Sequence, residues 1–280
     1  MANVLPREKQ LAVLGALVEG NSIRSTERML SIHRDTIMRL GARVGEGCVV
    51  LLDETMRDLT CERLQLDELW AFIGKKQRHV RQDDDASRVG DCWTWVAIDA
   101  NTKLVPSFMT GKRDAATADA FIKDLAARLR NRAQVTTDGL RAYIAPIANA
   151  FGLAGVDYAQ LHKTFEAEPI GPGRYSPPKV TGTEKTPVFG APVEELVSTS
   201  YVERQNLTMR MGIRRFTRLT DGHSKKLENH AAAVALHFAH YNFVRVHSTL
   251  RATPAMAAGV ASTVWSMGEL LDAATDGVTP

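Results

Sequence analysis

Two adjacent acids, Asp67 and Glu68, interrupt an otherwise apolar stretch, Leu64 to Gly74 (LQLDELWAFIG). Apolar residues alternate with others over much of it, the pattern of a strand that hides one face in a core. Carboxylates inside such a strand are costly unless they face a cavity, a cation or a partner. The plainer alternative is an edge strand with a solvated acidic pair. Two later acids stand in similarly unusual settings. Asp138 ends a short strand pattern, Gln134 to Thr137, just before Gly139, and Glu203 falls in a helical segment. Taken singly, Asp138 also reads as a turn residue, and Glu203 as part of a solvated Glu/Arg helix face. Together, Asp67, Asp138 and Glu203 can converge on two divalent cations about 3.5–4 Å apart. Oxygen-only ligands suit Mg²⁺ or Mn²⁺. Such a pair activates a water or a 3′-hydroxyl and stabilises the leaving oxygen of an in-line phosphoryl displacement. Strand alternation sends Glu68 to the face opposite Asp67.

The elements that must carry these acids are legible in order. Leu64 to Gly74 is followed by a charged hairpin tip with Lys75, Lys76 and Arg78, then by strand patterns at Asp91–Ala100 and Lys103–Thr110. Thr117–Leu129 has helical spacing, with Ala120, Phe121, Leu125 and Leu129 on one face. The strand before Asp138, a helix at Leu140–Phe151 and a short strand at Val156–Leu161 follow. The order βββαβα, with one acid in the first strand and another after the fourth, is that of a ribonuclease-H-like domain. The fold expected is therefore α/β, a mixed sheet flanked by helices. Residues from about 166 to 192 are dense in Pro, Gly and Thr and read as a loop. Val197–Met211 reads as the helix carrying Glu203, with Asn206 and Arg210 on the same face.

The first 60 residues show three short helical patterns. A break at Gly20-Asn21-Ser22 and a second at Ser31-Ile32-His33 separate them. Two short helices joined by a tight turn suit a helix-turn-helix, with Arg34, Asp35, Thr36 and Arg39 as groove-facing candidates. A small packing bundle is the alternative, and the segment is not basic: nine Arg or Lys against nine acids up to Arg63. Positive charge gathers later, with nine Arg or Lys against three acids from Glu203 to Arg251. Arg204, Arg210, Arg214 and Arg215 are the DNA-facing candidates there. His237 and His240 have an i, i+3 spacing but no acidic or cysteine partner, which favours packing over a metal.

Composition bounds the class. The chain has 280 residues, 44% hydrophobic and 24% charged, with a net charge of +3. That is ordinary for a globular protein and permits nucleic-acid binding without demanding it. No apolar run approaches the roughly 20 residues of a membrane span, and the start of the chain has no signal-peptide pattern. Cys48, Cys61 and Cys92 form no CxxC pair, which predicts a reducing, cytoplasmic setting with the protein associated with the nucleoid.

At this point the chain resembles the DDE transposases of bacterial insertion sequences, most closely the insertion-sequence-one type. The matching residues are DELW from Asp67, GKK from Gly74, TDG at Thr137 to Gly139 followed by Tyr143, YVERQN from Tyr201, and YNFVRVHSTL from Tyr241 with Thr253-Pro254. They run in order from about Leu64 to Gly259. The resemblance implies a catalytic triad of Asp67, Asp138 and Glu203 holding two Mg²⁺ or Mn²⁺ ions. Asn206 and Arg210 would orient DNA or the glutamate. It implies double-stranded DNA as partner, both the element's terminal inverted repeats and target DNA, and action as a homo-oligomer. It also implies a helix-turn-helix domain over residues 1–60, a catalytic domain over 64–260 with an insertion near 166–192, and a tail over 261–280. Many relatives carry a cysteine zinc finger before the helix-turn-helix, and this chain has none. A nuclease of the same fold and a non-catalytic DNA-binding regulator are the alternatives.

Overall fold

The computed structural model describes residues 4–166, 179–217 and 220–276. Three helices come first: α1 (Arg7–Val18), α2 (Ile23–Leu30) and α3 (Arg34–Thr55). Ser22 caps α2 by accepting from the Ser25 amide at 3.0 Å, and Ser31 ends it in the left-handed region, φ 53°. α3 has 22 residues and runs well past the tight turn that precedes it. Its last carbonyls would be orphaned. The buried Arg128 side chain ties down this end, donating to Met56 O at 3.2 Å and to Leu52 O at 3.3 Å, which also accepts from the Met56 amide. The same guanidinium pairs with Asp53 and Asp124.

Among the described residues the sheet has six strands: β1 (Arg63–Ile73), β2 (Gly90–Asp99), β3 (Ser107–Gly111), β4 (Ala133–Thr137), β5 (Val156–Glu166) and β6 (Lys179–Phe189). Their spatial order is β3-β2-β1-β4-β5-β6. β2 and β3 form an antiparallel meander with β1, while β4 and β5 run parallel to β1. This is a ribonuclease-H-like sheet. The parallel crossovers are helical, by α4 (Ala115–Arg128) before β4 and α5 (Ile144–Phe151) before β5. On their face of the sheet Trp95 packs on Phe121 and edge-on to Tyr143, at centroid distances of 6.1 and 5.3 Å.

The other face receives α6 (Ser200–Gly212) and α7 (Leu227–Ala239); Phe108 meets Phe238 at 4.7 Å. α7 continues into a π-helical turn, His240–Val244. There the fully buried Asn242 exchanges two hydrogen bonds with the Val105 backbone, at 3.1 and 3.0 Å. α3 lies along α7 so closely that a Cβ on Gly45 would stand 2.2 Å from Ala232 O. Two short helices close the chain, α8 (Pro254–Ala257) and α9 (Met267–Ala273), and Arg7 of α1 pairs with Asp272 of α9. One hydrophobic cluster runs from Val13 and Leu14 through Leu66 and Trp95 to Phe238 and Leu271. The N-terminal helices therefore share their core with the sheet. Among the described residues no helix is long and apolar enough to cross a membrane.

The sequence expectation of a loop over the whole of 166–192 is corrected here. Lys179–Phe189 is the edge strand β6, antiparallel to β5, with register shifts at Tyr158/Ala159 and Thr164/Phe165. Pro187 and Gly182 mask the strand, but an edge strand tolerates both, and the Val and Thr residues between them favour extended backbone. β5 is correspondingly longer than the expected Val156–Leu161, reaching Glu166. The remainder of the segment, 167–178, lies outside the described residues.

Candidate active site

Residue parity in β1 sets the first two acids apart. Asp67 stands opposite Val96 and Glu68 opposite Trp95 on β2. Successive side chains point to opposite faces. Asp67 accordingly meets α6, where Asn206 Nδ2 donates to its Oδ2 at 2.8 Å. Glu68 lies on the Trp95–Tyr143 side. β4 stays beside β1 only as far as the pair Leu66–Thr137. Asp138 is the next residue, and its Oδ1 accepts from the Leu140 amide at 2.9 Å, which turns the chain away from the sheet. No strand then separates the two faces beside Asp67 and Glu68. One carboxylate oxygen from each of Asp67, Glu68 and Asp138 lies within 4.8 Å of the other two.

Glu203 arrives from α6. The helix is docked by β1 itself: Gln65 Oε1 accepts from the Tyr201 and Val202 amides at 2.8 and 3.1 Å, satisfying two orphan donors. Glu203 sits in the first turn, near enough for its charge to disfavour ionisation of Asp67. Its Oε1 accepts from Thr199 Oγ1 at 2.6 Å and from Lys163 Nζ on β5. The cluster thus forms from Asp67, Glu68 and Asp138, with Glu203 beside it and drawn toward Lys163.

Burial shapes the charges. It pushes the Asp67 carboxyl up to about 6 and the Glu68 carboxyl up to about 7, with neighbouring acids adding to both. Arg113, in the turn before α4, provides the compensating charge. Its Nε donates to Glu68 Oε2 at 3.0 Å and its Nη2 stands 3.8 Å from Asp138 Oδ2. Its guanidinium lies over Trp93, 4.9 Å from the ring centroid. The Tyr143 hydroxyl faces Glu68 and lowers its carboxyl against the effect of burial, and Asn206 Oδ1 is buried without a hydrogen-bond partner among the described residues. Three convergent carboxylates fit a divalent cation. An all-oxygen set suits Mg²⁺ or Mn²⁺.

Sequence reasoning sent Glu68 away from Asp67, and the alternation is indeed as expected. What it missed is that the early end of β4 lets both carboxylates reach the same gap. Arg113 was not anticipated at all, because nothing in the local run Gly111-Lys112-Arg113-Asp114 marks it; only the fold brings it to the acids.

The other sequence candidates are spread over the molecule. Arg34 and Arg39 are exposed at the start of α3 and Thr36 is half-buried. Arg39 Nε donates to Asp35 O at 3.2 Å. Lys75 is held by both oxygens of Asp84 at 2.7 Å, Lys76 lies 5.8 Å from the Phe72 ring, and Arg78 donates to His79 at 3.1 Å. Arg204 is exposed and Arg210 half-buried on α6. Arg214 and Arg215 follow in a half-buried 3₁₀ turn, where Arg215 donates to Ser224 at 3.2 Å. Ser224 in turn bonds the buried His230, so Arg215 contributes to packing here.

No family model and no curated protein matches the chain. Among solved structures it is similar to the piggyBac transposase in a synaptic complex with hairpin DNA, at 12% identity and a TM-score of 0.42, covering 99% of this chain and 73% of that one. It is also similar to the Mos1 transposase in a paired-end complex with a left transposon end (13% identity, TM-score 0.25) and in a strand transfer complex (15%, 0.24). This chain spans 60% and 59% of the two Mos1 chains, and each match covers 56% of it.

Proposed function

We propose that the chain is a DNA transposase that cuts and joins DNA ends by metal-dependent phosphoryl transfer, with Asp67, Asp138 and Glu203 as its acidic triad. The observation that carries the reading is the approach of Asp67 and Asp138 from neighbouring strands of a ribonuclease-H-like sheet, with α6 bringing Glu203 alongside.

Asp67, Asp138 and Glu203 would hold two Mg²⁺ or Mn²⁺ ions, and Glu68 is positioned to share in holding one of them. Bound there, the cations supply activation of a water or 3′-hydroxyl and stabilisation of the leaving oxygen. The chain's own residues prepare that site. Asn206 fixes the Asp67 carboxylate by its 2.8 Å bond. Arg113 offsets the charge of Glu68 and Asp138 in the metal-free protein. Lys163 does the same for Glu203 and must release it for the triad to assemble. Double-stranded DNA, as terminal inverted repeats and as target, is the substrate. Arg34, Thr36 and Arg39 would read one part of it from α3, Lys75, Lys76 and Arg78 would touch its backbone, and a homo-oligomer would hold the two ends.

The test is a cleavage and joining assay on DNA from the flanks of this protein's own gene, with Mg²⁺, Mn²⁺ or EDTA. Metal-dependent nicks and joined products are expected, both lost in Asp67→Ala and Asp138→Asn while DNA binding persists. Cleavage retained by Asp138→Asn would sink the triad assignment. Nicking without joining would make the protein a nuclease, and binding with neither a DNA-binding regulator.

A further inference from the structure

A cavity of about 190 Å³ lies on the far side of α6 from the acids, between that helix, the end of β2 and the segment after α7. Its lining includes Lys103, Tyr201, Arg204, Gln205, Arg245 and His247, and none of the lining residues is acidic. Gln205 and Asn206 are neighbours on α6, about 100° apart around the axis. Asn206 reaches Asp67, while Gln205 turns toward the cavity.

The cavity is lined by cationic and amide side chains and by no carboxylate. Gln205 is 3% exposed, and its Nε2 is buried with no hydrogen-bond partner. Lys103 is 8% exposed. Its ammonium donates to the Ala100 carbonyl and lies over the face of Tyr201, 3.3 Å from the ring centroid. A buried ammonium with no carboxylate paired to it among the described residues carries a desolvation cost that an anion would offset. Arg204 and Arg245 stand exposed at the rim, and no carboxylate forms an ion pair with either among the described residues. Positive charge from Lys103 and Arg245 also acts on His247, whose imidazole is held below its usual range, chiefly by burial.

We propose that this cavity is a phosphate site that grips one backbone phosphate of the DNA strand lying across α6. The oxyanion would be drawn by Lys103 and enclosed by Arg204 and Arg245. The inference deepens the transposase reading and rests on it for the identity of the strand. α6 is about 10–12 Å across with its side chains. That distance is roughly three nucleotides of rise along one strand. The site would therefore set how far the strand is drawn past the scissile phosphate, a register function separate from the chemistry.

The experiment measures two things on the full chain: calorimetric binding of inorganic phosphate, and the salt dependence of binding to a duplex oligonucleotide by fluorescence anisotropy. The variants are Arg204→Gln and Arg245→Gln, both at exposed positions on the rim. Lys123→Gln on α4, remote from the cavity, is the control. In both variants phosphate affinity should fall at least tenfold, and the slope of log K against log salt should become shallower by about 0.9, the loss of one phosphate contact. The control should match wild type. Unchanged slope and unchanged phosphate affinity in both variants would overturn the site. Phosphate binding lost in the variants with an unchanged DNA slope would overturn the backbone assignment and make the cavity a free-anion site. Cleavage is read separately: wild type that cleaves DNA while the variants show no slope change sinks this site alone. A slope change without metal-dependent cleavage sinks the transposase reading and leaves the phosphate contact standing.

Discussion

Arg113 Nε and Glu68 Oε2 are 3.0 Å apart, joining a partly exposed cation to a carboxylate whose side chain is 1% exposed. The guanidinium thus does part of what a divalent ion would do: it neutralises buried charge between β1 and the end of β4. Arg113→Gln should leave Glu68 and Asp138 mutually repelling in the metal-free protein. A destabilisation of about 1–2 kcal/mol is expected, since the cation is half-solvated while its partner is not. Mn²⁺ should then raise the melting temperature of the variant more than that of wild type. Equal Mn²⁺-induced shifts in the two proteins would show that Arg113 and the ion do not share the same charge.

Asn206 is the counterpart on the other face of β1. Its amide donates to Asp67 Oδ2 at 2.8 Å while its own Oδ1 stays unpaired. Asn206→Leu keeps the volume and removes the donor. The Asp67 carboxyl, already pushed up to about 6 by burial, should rise further. Mn²⁺ affinity by calorimetry should fall by about 10–100-fold, the usual cost of losing a partner that orients a metal-binding carboxylate. Asn206→Asp would not mimic this loss, because it adds a ligand and a charge.

The contrast between these two residues shows what the sequence can carry. Helical spacing placed Asn206 on the face of Glu203 but did not show its bond to Asp67, and the strand pattern around Asp67 was legible by alternation. The turn after Thr137 was legible from Asp138-Gly139. Arg113 was not, since its role depends on the β3–α4 turn folding over Trp93 and onto β1, a contact between segments distant in sequence. β6 was hidden for a different reason. Its Gly and Pro weigh against a strand in local terms, and only pairing with β5 makes Lys179–Phe189 extended. The close contact of α3 with α7 was likewise invisible, because a glycine inside a helical pattern does not reveal what lies against it.

Glycines on the N-terminal helices give a paired test of that contact. A Cβ at Gly45 would lie 2.2 Å from Ala232 O and 2.8 Å from its Cα, both backbone atoms that cannot give way. Gly45→Ala should therefore force α3 away from α7. Overpacking should outweigh the gain in helix propensity and cost about 1–3 kcal/mol. At Gly15, in the middle of α1, an added Cβ meets nothing within 4 Å. Gly15→Ala should stabilise by about 0.5–1 kcal/mol. Urea titrations of the two variants measure both signs. If both mutations stabilised the protein, the α3–α7 contact would be looser than described.

His237 gives the chain a defined acid sensitivity. Its ring is 4% exposed, stacks on Tyr241 at 6.4 Å, and has no hydrogen bond at either nitrogen. Burial, reinforced by His240 and Arg245, lowers its titration to about 3. In the unfolded chain the same imidazole takes up a proton near pH 6.5. Between those values the unfolded state binds more protons, so the stabilisation present above pH 6.5 is lost as pH falls toward 3. His230 acts in the same direction, with burial also lowering it to about 3. Asp67 and Glu68 act oppositely, because their folded carboxyls titrate higher than unfolded ones. A bare pH profile of wild type would mix these groups. The difference between wild type and His237→Leu isolates one of them, since the others are common to both. That difference should move in favour of the variant by about 1.4 kcal/mol for each pH unit between 6 and 4, as measured by denaturant titration. A difference independent of pH over that range would mean that the folded protein takes up a proton at His237 as readily as the unfolded chain does.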